Sequence, residues 1–136
     1  MKKLYISPTK TTPEILLSPE ENIFFIRGIS SPEDVRAMYY PVIDWIKIFV
    51  DDILEDGKSS YSPDSPLKFQ VDLSYFNSSS AKFLFDIFSD LKRLIPSGIH
   101  VIVEWFYAEG DSDLKDAGKE IALLAGLELT YIMKNN

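Results

Sequence analysis

The sequence predicts an α/β domain, a mixed β-sheet with helices, and three patterns carry that prediction. Apolar and polar residues alternate from Leu67 to Tyr75, the two-residue period of a strand with one buried face. Elsewhere apolar residues recur at three- and four-residue steps, as on helices with a single apolar stripe. The two patterns take turns along the second half of the chain, strand–helix–strand–helix–strand, which implies parallel pairing through right-handed crossovers.

The elements follow in order. Leu4 to Ile6, Ile15 to Leu17 and Ile23 to Arg27 are short β-like runs, and the turn residues Pro19-Glu20-Glu21-Asn22 between the last two predict a hairpin. Ser31 before Pro32, with Asp34 three residues on, reads as a capping box opening a helix. Val35, Met38, Val42, Ile46, Phe49, Val50 and Ile53 form its stripe down to Gly57. Pro41 lacks the backbone donor and clashes with the preceding turn, so a kink or short break is expected near Tyr39-Tyr40. Gly57 to Pro66 (GKSSYSPDSP) loses apolar periodicity and reads as a surface loop within one domain spanning residues 1–136.

Beyond it, the strand from Leu67 to Tyr75 places Leu67, Phe69, Val71, Leu73 and Tyr75 on a core. A helix beginning near Ala81 follows, with Leu84, Phe85, Phe88, Leu91 and Ile95, closed by Pro96 and Gly98. Val101 to Tyr107 is nearly all apolar, as in a strand covered on both faces. Ser112 then caps a third helix through Leu114, Ala117, Ile121 and Leu124, and Leu127 to Met133 supplies the last strand.

Size and charge exclude several functions. A chain of 136 residues buries roughly two thirds of its unfolded surface, enough for a core without metal or disulfide staples. The net charge of −7 leaves no basic patch for phosphate backbones, so no nucleic acid partner is expected. Neither an apolar signal segment nor an 18-residue apolar run is present, which argues against membrane insertion and for a cytoplasmic protein. Zero cysteines remove disulfides, thiolate nucleophiles and Cys-based metal sites, and fit a reducing compartment.

Catalytic and cofactor motifs are also missing. The glycines at 28, 57, 98, 110, 118 and 126 match no phosphate-binding loop, and no cofactor is expected. The single histidine, His100, reads as a structural or surface residue. Asp51, Asp52, Glu55 and Asp56 read as a solvated acidic face at a helix C-terminus. Asp111 and Asp113 begin like a calcium loop but lack its glycine and terminal glutamate.

One place carries chemistry. Asn77-Ser78-Ser79-Ser80 stands where a strand turns into a helix, so three hydroxyls gather at a helix N-terminus, where free N–H groups and the helix dipole favour an anion. Lys82 adds a cation on the first turn. Asn and Ser are also the best N-caps, so the same residues have a purely structural reason to be there. A phosphate on one of these serines would add about −1.5 to −2 charge. The dipole and Lys82 would accommodate it, while an acidic or apolar partner packed over the turn would be repelled.

The run Leu73-Ser74-Tyr75-Phe76-Asn77-Ser78-Ser79-Ser80-Ala81-Lys82 resembles the signature of the SiaC family of bacterial regulatory phosphoproteins, Tyr-x-Asn-[Ser/Thr]-Ser-Ser-x-Lys. Thr9-Lys10-Thr11-Thr12-Pro13-Glu14-Ile15 is similar to its N-terminal element. Gly28-Ile29-Ser30-Ser31-Pro32-Glu33-Asp34, with Val42-Ile43-Asp44-Trp45, is similar to its G-x-S-x-P-E and [VI]-I-D-W elements. Val103-Glu104-Trp105-Phe106-Tyr107 is similar to the strand before its acidic turn. The resemblance implies a fold like that of STAS domains and SpoIIAA anti-sigma factor antagonists. It also implies a switch protein without catalysis, phosphorylated by a Ser/Thr protein kinase, dephosphorylated by a PPM-type protein phosphatase, and activating a diguanylate cyclase (a GGDEF protein) when dephosphorylated. The phosphoacceptor then falls on Ser78, supported by Asn77, Ser79, Ser80 and Lys82.

Partner contact is expected at the turn and along the exposed flank of the following helix, including Asp86 and Asp90, although both carboxylates can equally be solvated surface. Two further readings stay open. An anti-sigma factor antagonist would share fold and acceptor but bind a sigma-factor inhibitor kinase. A small serine hydrolase using Ser78 would need a base within hydrogen-bond reach, and the sequence offers none.

Overall fold

In the computed structural model, which describes residues 1–57 and 60–135, the elements run β1 (Leu4–Ile6), β2 (Glu14–Ser18), β3 (Ile23–Ser30), α1 (Val35–Asp56), β4 (Leu67–Phe76), α2 (Ser78–Lys92), β5 (Val101–Ala108), α3 (Ser112–Ala125) and β6 (Thr130–Lys134). A single 3₁₀ turn, Ile95–Ser97, follows α2. The six strands form one mixed sheet in sequence order. β1, β2 and β3 pair antiparallel, and β3 to β6 pair parallel.

That strand order decides the layering. Each right-handed crossover advances in the same direction, so all three helices fall on one face of the sheet. Accordingly α1 packs on α2 and α2 on α3. The core lies between them and the alternate residues Ile15, Leu17, Phe24, Ile26, Phe69, Val71, Leu73, Val103 and Trp105, all buried. The opposite face carries no helix among the described residues. On β5, Val103 and Trp105 are buried while Ile102, Glu104 and Phe106 are only partly so, which corrects the expectation of a strand covered on both faces.

Local features depart from expectation for identifiable reasons. α1 is capped by Asp34, whose carboxylate accepts from Ala37 N at 3.1 Å, not by Ser31. Ser31 N donates to Thr11 O at 2.7 Å, which ties it to the N-terminal segment. α1 runs unbroken through Pro41, because Pro41 and Ala37 lie on its exposed side and water can satisfy the carbonyl that the proline leaves free. Similarly Asp111, not Ser112, caps α3 by accepting from Leu114 N at 3.0 Å. β6 begins at Thr130, later than Leu127, because Leu127 N closes the end of α3 on Ala122 O at 2.9 Å. Of the 57–66 segment, Lys58 and Ser59 lie outside the described residues; Gly57 ends α1 with φ 64°, and Ser62 and Ser65 exchange backbone bonds of 3.1 Å.

One irregularity matters for the site. The β3–β4 register slips after Gly28, pairing Gly28 with Leu73 and Ile29 with Tyr75 and leaving Ser74 as an extra residue. A bulge of this kind reverses the alternation of faces beyond it. Tyr75, read from the sequence as core, is therefore 55% exposed beside Ile29, and Phe76 instead turns inward to meet Trp105 edge-on at 5.7 Å. Gly28 takes φ 114°, a backbone shape that side chains resist.

Candidate functional site

The turn from β4 into α2 lies at the C-terminal edge of the parallel strands, a common position for functional groups in such sheets. Asn77 has extended backbone and its Oδ1 accepts from Ser80 N at 2.9 Å, so it is the N-cap. The helix begins three residues earlier than the periodicity suggested, because apolar spacing reveals only where the buried stripe starts. Ser78 and Ser79 are therefore its first two residues, and both are exposed. Their N–H groups have no acceptor within the described residues, as the first turn of a helix leaves them.

Ser80 differs sharply from its neighbours. It is fully buried; its hydroxyl donates to Ser30 O at 3.0 Å and accepts from Ser30 Oγ at 2.8 Å. Ser30 Oγ also lies 2.6 Å from Tyr39 Oη, and Asn77 N donates to Ser30 O at 3.1 Å. Burial pushes the Tyr39 phenol above its ordinary range, so it stays a neutral hydroxyl. Tyr39 is in turn stacked on Phe83 at 5.4 Å and 6°. Ser80 is thus an anchor and has no surface to offer a partner, which corrects that half of its expected role.

Ser30 and Tyr39 were missed as site residues by sequence reasoning. Ser30 appeared only as a motif letter and Tyr39 only as the place of a helix break. The signal was present, since an inward-facing serine needs a polar companion, but its partners lie 9 and 50 residues away.

The segments that carried the resemblance converge here. The Thr9–Pro13 stretch is fastened by Ser31 N to Thr11 O, and Ser74 Oγ reaches Gly28 O at 3.3 Å. Thr9 Oγ1 collects the N–H groups of Thr11 and Thr12 at 3.2 and 3.0 Å. The N-terminal loop, the end of β3 and the β4–α2 turn are therefore one structure assembled from distant sequence.

Lys82 is exposed and leans along the helix to Asp86, 3.4 Å away, with its ammonium 5.1 Å from the Phe83 ring. Ser78, Ala81, Lys82 and Phe85 fall on one helical stripe. The last three line an apolar cleft of about 350 Å³, completed by Ile121 and Leu124 of α3. Asp90, expected on the exposed flank, is buried against Arg93, the residue that follows α2. Desolvation raises its pKa despite the nearby Lys47 and Arg93, so it belongs to the α1–α2 contact and not to a docking surface. His100 immediately precedes β5, and its carbonyl accepts from Leu67 N at the opposite end of β4. Ten strand residues put it roughly 30 Å from Ser78, out of reach as a base.

A one-faced six-stranded sheet with an exposed serine at its strand-to-helix turn defines a class of small α/β domain, and comparison with solved structures gives that class its members. The fold matches apo-SiaC from Pseudomonas aeruginosa with TM-score 0.75 and 25% identity, covering 98% of this chain and 99% of that one. It also matches a chain of the crystal structure of the diguanylate cyclase SiaD in complex with its activator SiaC, from the same organism, with TM-score 0.77 and 24% identity over 98% and 99%. An uncharacterized protein of Pseudomonas aeruginosa strain UCBPP-PA14 is 29% identical over 120 residues, 88% of this chain and 87% of that protein. The model of the SiaC family of regulatory phosphoproteins matches residues 6–133, and the chain belongs to that family. Among the described residues no helix is long and apolar enough to cross a membrane.

Proposed function

We propose that this protein is a non-catalytic, phosphorylation-gated binding module in which Ser78 is the acceptor and a diguanylate cyclase is the partner of the unmodified form. The observation that carries the reading is the contrast at the turn: Ser78 is open at the first position of α2 while Ser80 is locked beneath it. A kinase can reach the first without disturbing the second. A Ser/Thr protein kinase would add the phosphate and a PPM-type protein phosphatase would remove it. Family membership, and the complex that its relative SiaC forms with SiaD, support the choice of a cyclase over a sigma-factor inhibitor.

The physics of the switch follows from the geometry. A phosphate of about −1.5 to −2 charge at Ser78 meets free N–H groups and the positive helix end, so the fold tolerates it. Lys82, held by an exposed 3.4 Å pair with Asp86 and by the Phe83 ring 5.1 Å away, is free to swing toward it. The phosphate would stand on the stripe that leads into the Ala81–Phe85–Leu124 cleft, where it would repel carboxylates and add desolvation cost to any apolar group seated there. Asn77 holds the turn in shape, and Ser79 and Asp86 supply its polar rim.

The test is phosphorylation by the cognate kinase followed by pull-down of a GGDEF protein. Intact mass should rise by one phosphate, with Ser78→Ala unmodified; Ser78→Ala should retain the cyclase and Ser78→Asp should lose it. Full modification of Ser78→Ala would exclude the assigned acceptor. Recovery of a sigma-factor inhibitor in place of a cyclase would exclude the assigned partner.

A further inference from the structure

β6 is an edge strand, and it lacks the usual protection. It carries no proline and no bulge, and its one charged residue, Lys134, is tied down over the open face by Asp72 at 2.6 Å. The other edge, β1, is only three residues long and follows Lys2 and Lys3. Beside β6, on the helix side, lies an apolar recess of about 320 Å³ whose lining includes Ala122, Leu127, Leu129 and Tyr131. Leu123 stands at its rim 80% exposed, and Met133 on the strand is 49% exposed. A leucine left almost wholly in water next to an open strand edge and a recess is an unfinished core.

We propose that this edge is closed by a second copy of the same chain, β6 pairing antiparallel with its two-fold mate about Ile132. The argument for self-association is complementarity under that operation, since a two-fold contact sets residue i against j and j against i. Antiparallel pairing centred on Ile132 uses all five residues of the strand: Thr130 meets Lys134, Tyr131 meets Met133, and Ile132 meets itself. Tyr131 and Met133 are on the helix side, where an aromatic ring and a thioether pack well. The reversal also sets the recess of one copy, with Lys119, Leu123 and Glu128 on its lining, beside the recess of the other. Glu128 and Lys119 flank the recess with opposite charge, so each is matched by the other copy. Leu123 then fills the mate's recess over Tyr131. The Ser78 turn, between β4 and α2, is left uncovered.

Sedimentation equilibrium of the full chain should show a concentration-dependent species of twice the 15.5 kDa chain mass. Leu123→Glu, at an exposed position where folding is indifferent, should weaken association about tenfold or more. Lys119→Glu and Glu128→Lys should each weaken it and together restore it. Because the chain has no cysteine, Ile132→Cys introduces a single thiol on the dyad, where facing Cα atoms about 4.5–5.5 Å apart suit a disulfide. It should oxidise to a covalent dimer, whereas Tyr5→Cys on the opposite edge should not. A chain that stays monomeric throughout, or a dimer in which Ile132→Cys cross-links no faster than Tyr5→Cys, overturns the proposal.

Discussion

Three adjacent serines with the same side chain have different fates, decided by a rotation of about 100° per residue around one helix. Ser80 faces inward to Ser30 and Tyr39, so Ser80→Ala removes two buried hydrogen bonds, leaving Ser30 O with Asn77 N and Ser30 Oγ with Tyr39 Oη, and should cost about 1–3 kcal/mol in chemical denaturation. Ser79→Ala, at an exposed position, should change stability by no more than about 0.5 kcal/mol. Loss of the cap in Asn77→Ala should cost about 1 kcal/mol and fray the first turn of α2, read as faster amide exchange at Ser80 and Ala81. That the turn would matter was legible in its composition. Which hydroxyl would be open was not, because helix phase depends on where the cap falls, and Asn77 and each of the serines qualified equally.

Among the elements, α3 is seated by a contact that pattern reading could not supply. A Cβ at Gly118 would come within 2.4 Å of Trp105 Cε2, so α3 approaches β5 as closely as it does only because residue 118 has no side chain. Trp105 Nε1 donates to Leu114 O at 3.1 Å across the same contact. Gly118→Ala should therefore cost about 1–3 kcal/mol, and the tryptophan emission of the folded protein should shift as the helix is pushed away. Strand and helix existence was readable throughout, since burial imposes periods of two or of three to four residues. Caps were less so: Asp34 and Asp111 displaced Ser31 and Ser112, because either residue type can accept the N–H bond and only the path of the chain selects one. The bulge at Ser74 was invisible for a related reason, as alternation through Leu73 and Tyr75 gives no sign that the neighbouring strand slips.

Across the whole molecule, α1 and α2 are clasped by Arg93, which reaches Asp51 at 2.5 Å and Asp90 at 3.4 Å. Asp90 Oδ2 is buried without a partner among the described residues, and desolvation raises its pKa above the ordinary 3.8. The folded state thus holds that proton more tightly than the unfolded chain. Asp90's contribution is most favourable in acid and declines as pH rises from about 3.8 through the raised value. Asp90→Asn should remove this component: its stability relative to wild type should improve as pH climbs through that window, measured by denaturation at a series of pH values. Retention of the wild-type pH dependence in the variant would exclude the assignment.

What the sequence determined by itself was the set of elements, the parallel pairing and the place of the serine-rich turn, because each is written in local spacing, in turn residues and in motifs that resemble a family. Only the tertiary structure decided that the helices share one face, that Ser80 is sealed while Ser78 is open, and that the Thr9–Pro13 loop, Ser30 and Tyr39 brace the turn. The physical reason is range: periodicity and capping act over a few residues, whereas the Ser30–Ser80 bond spans 50 and exists only once β3 lies beside β4.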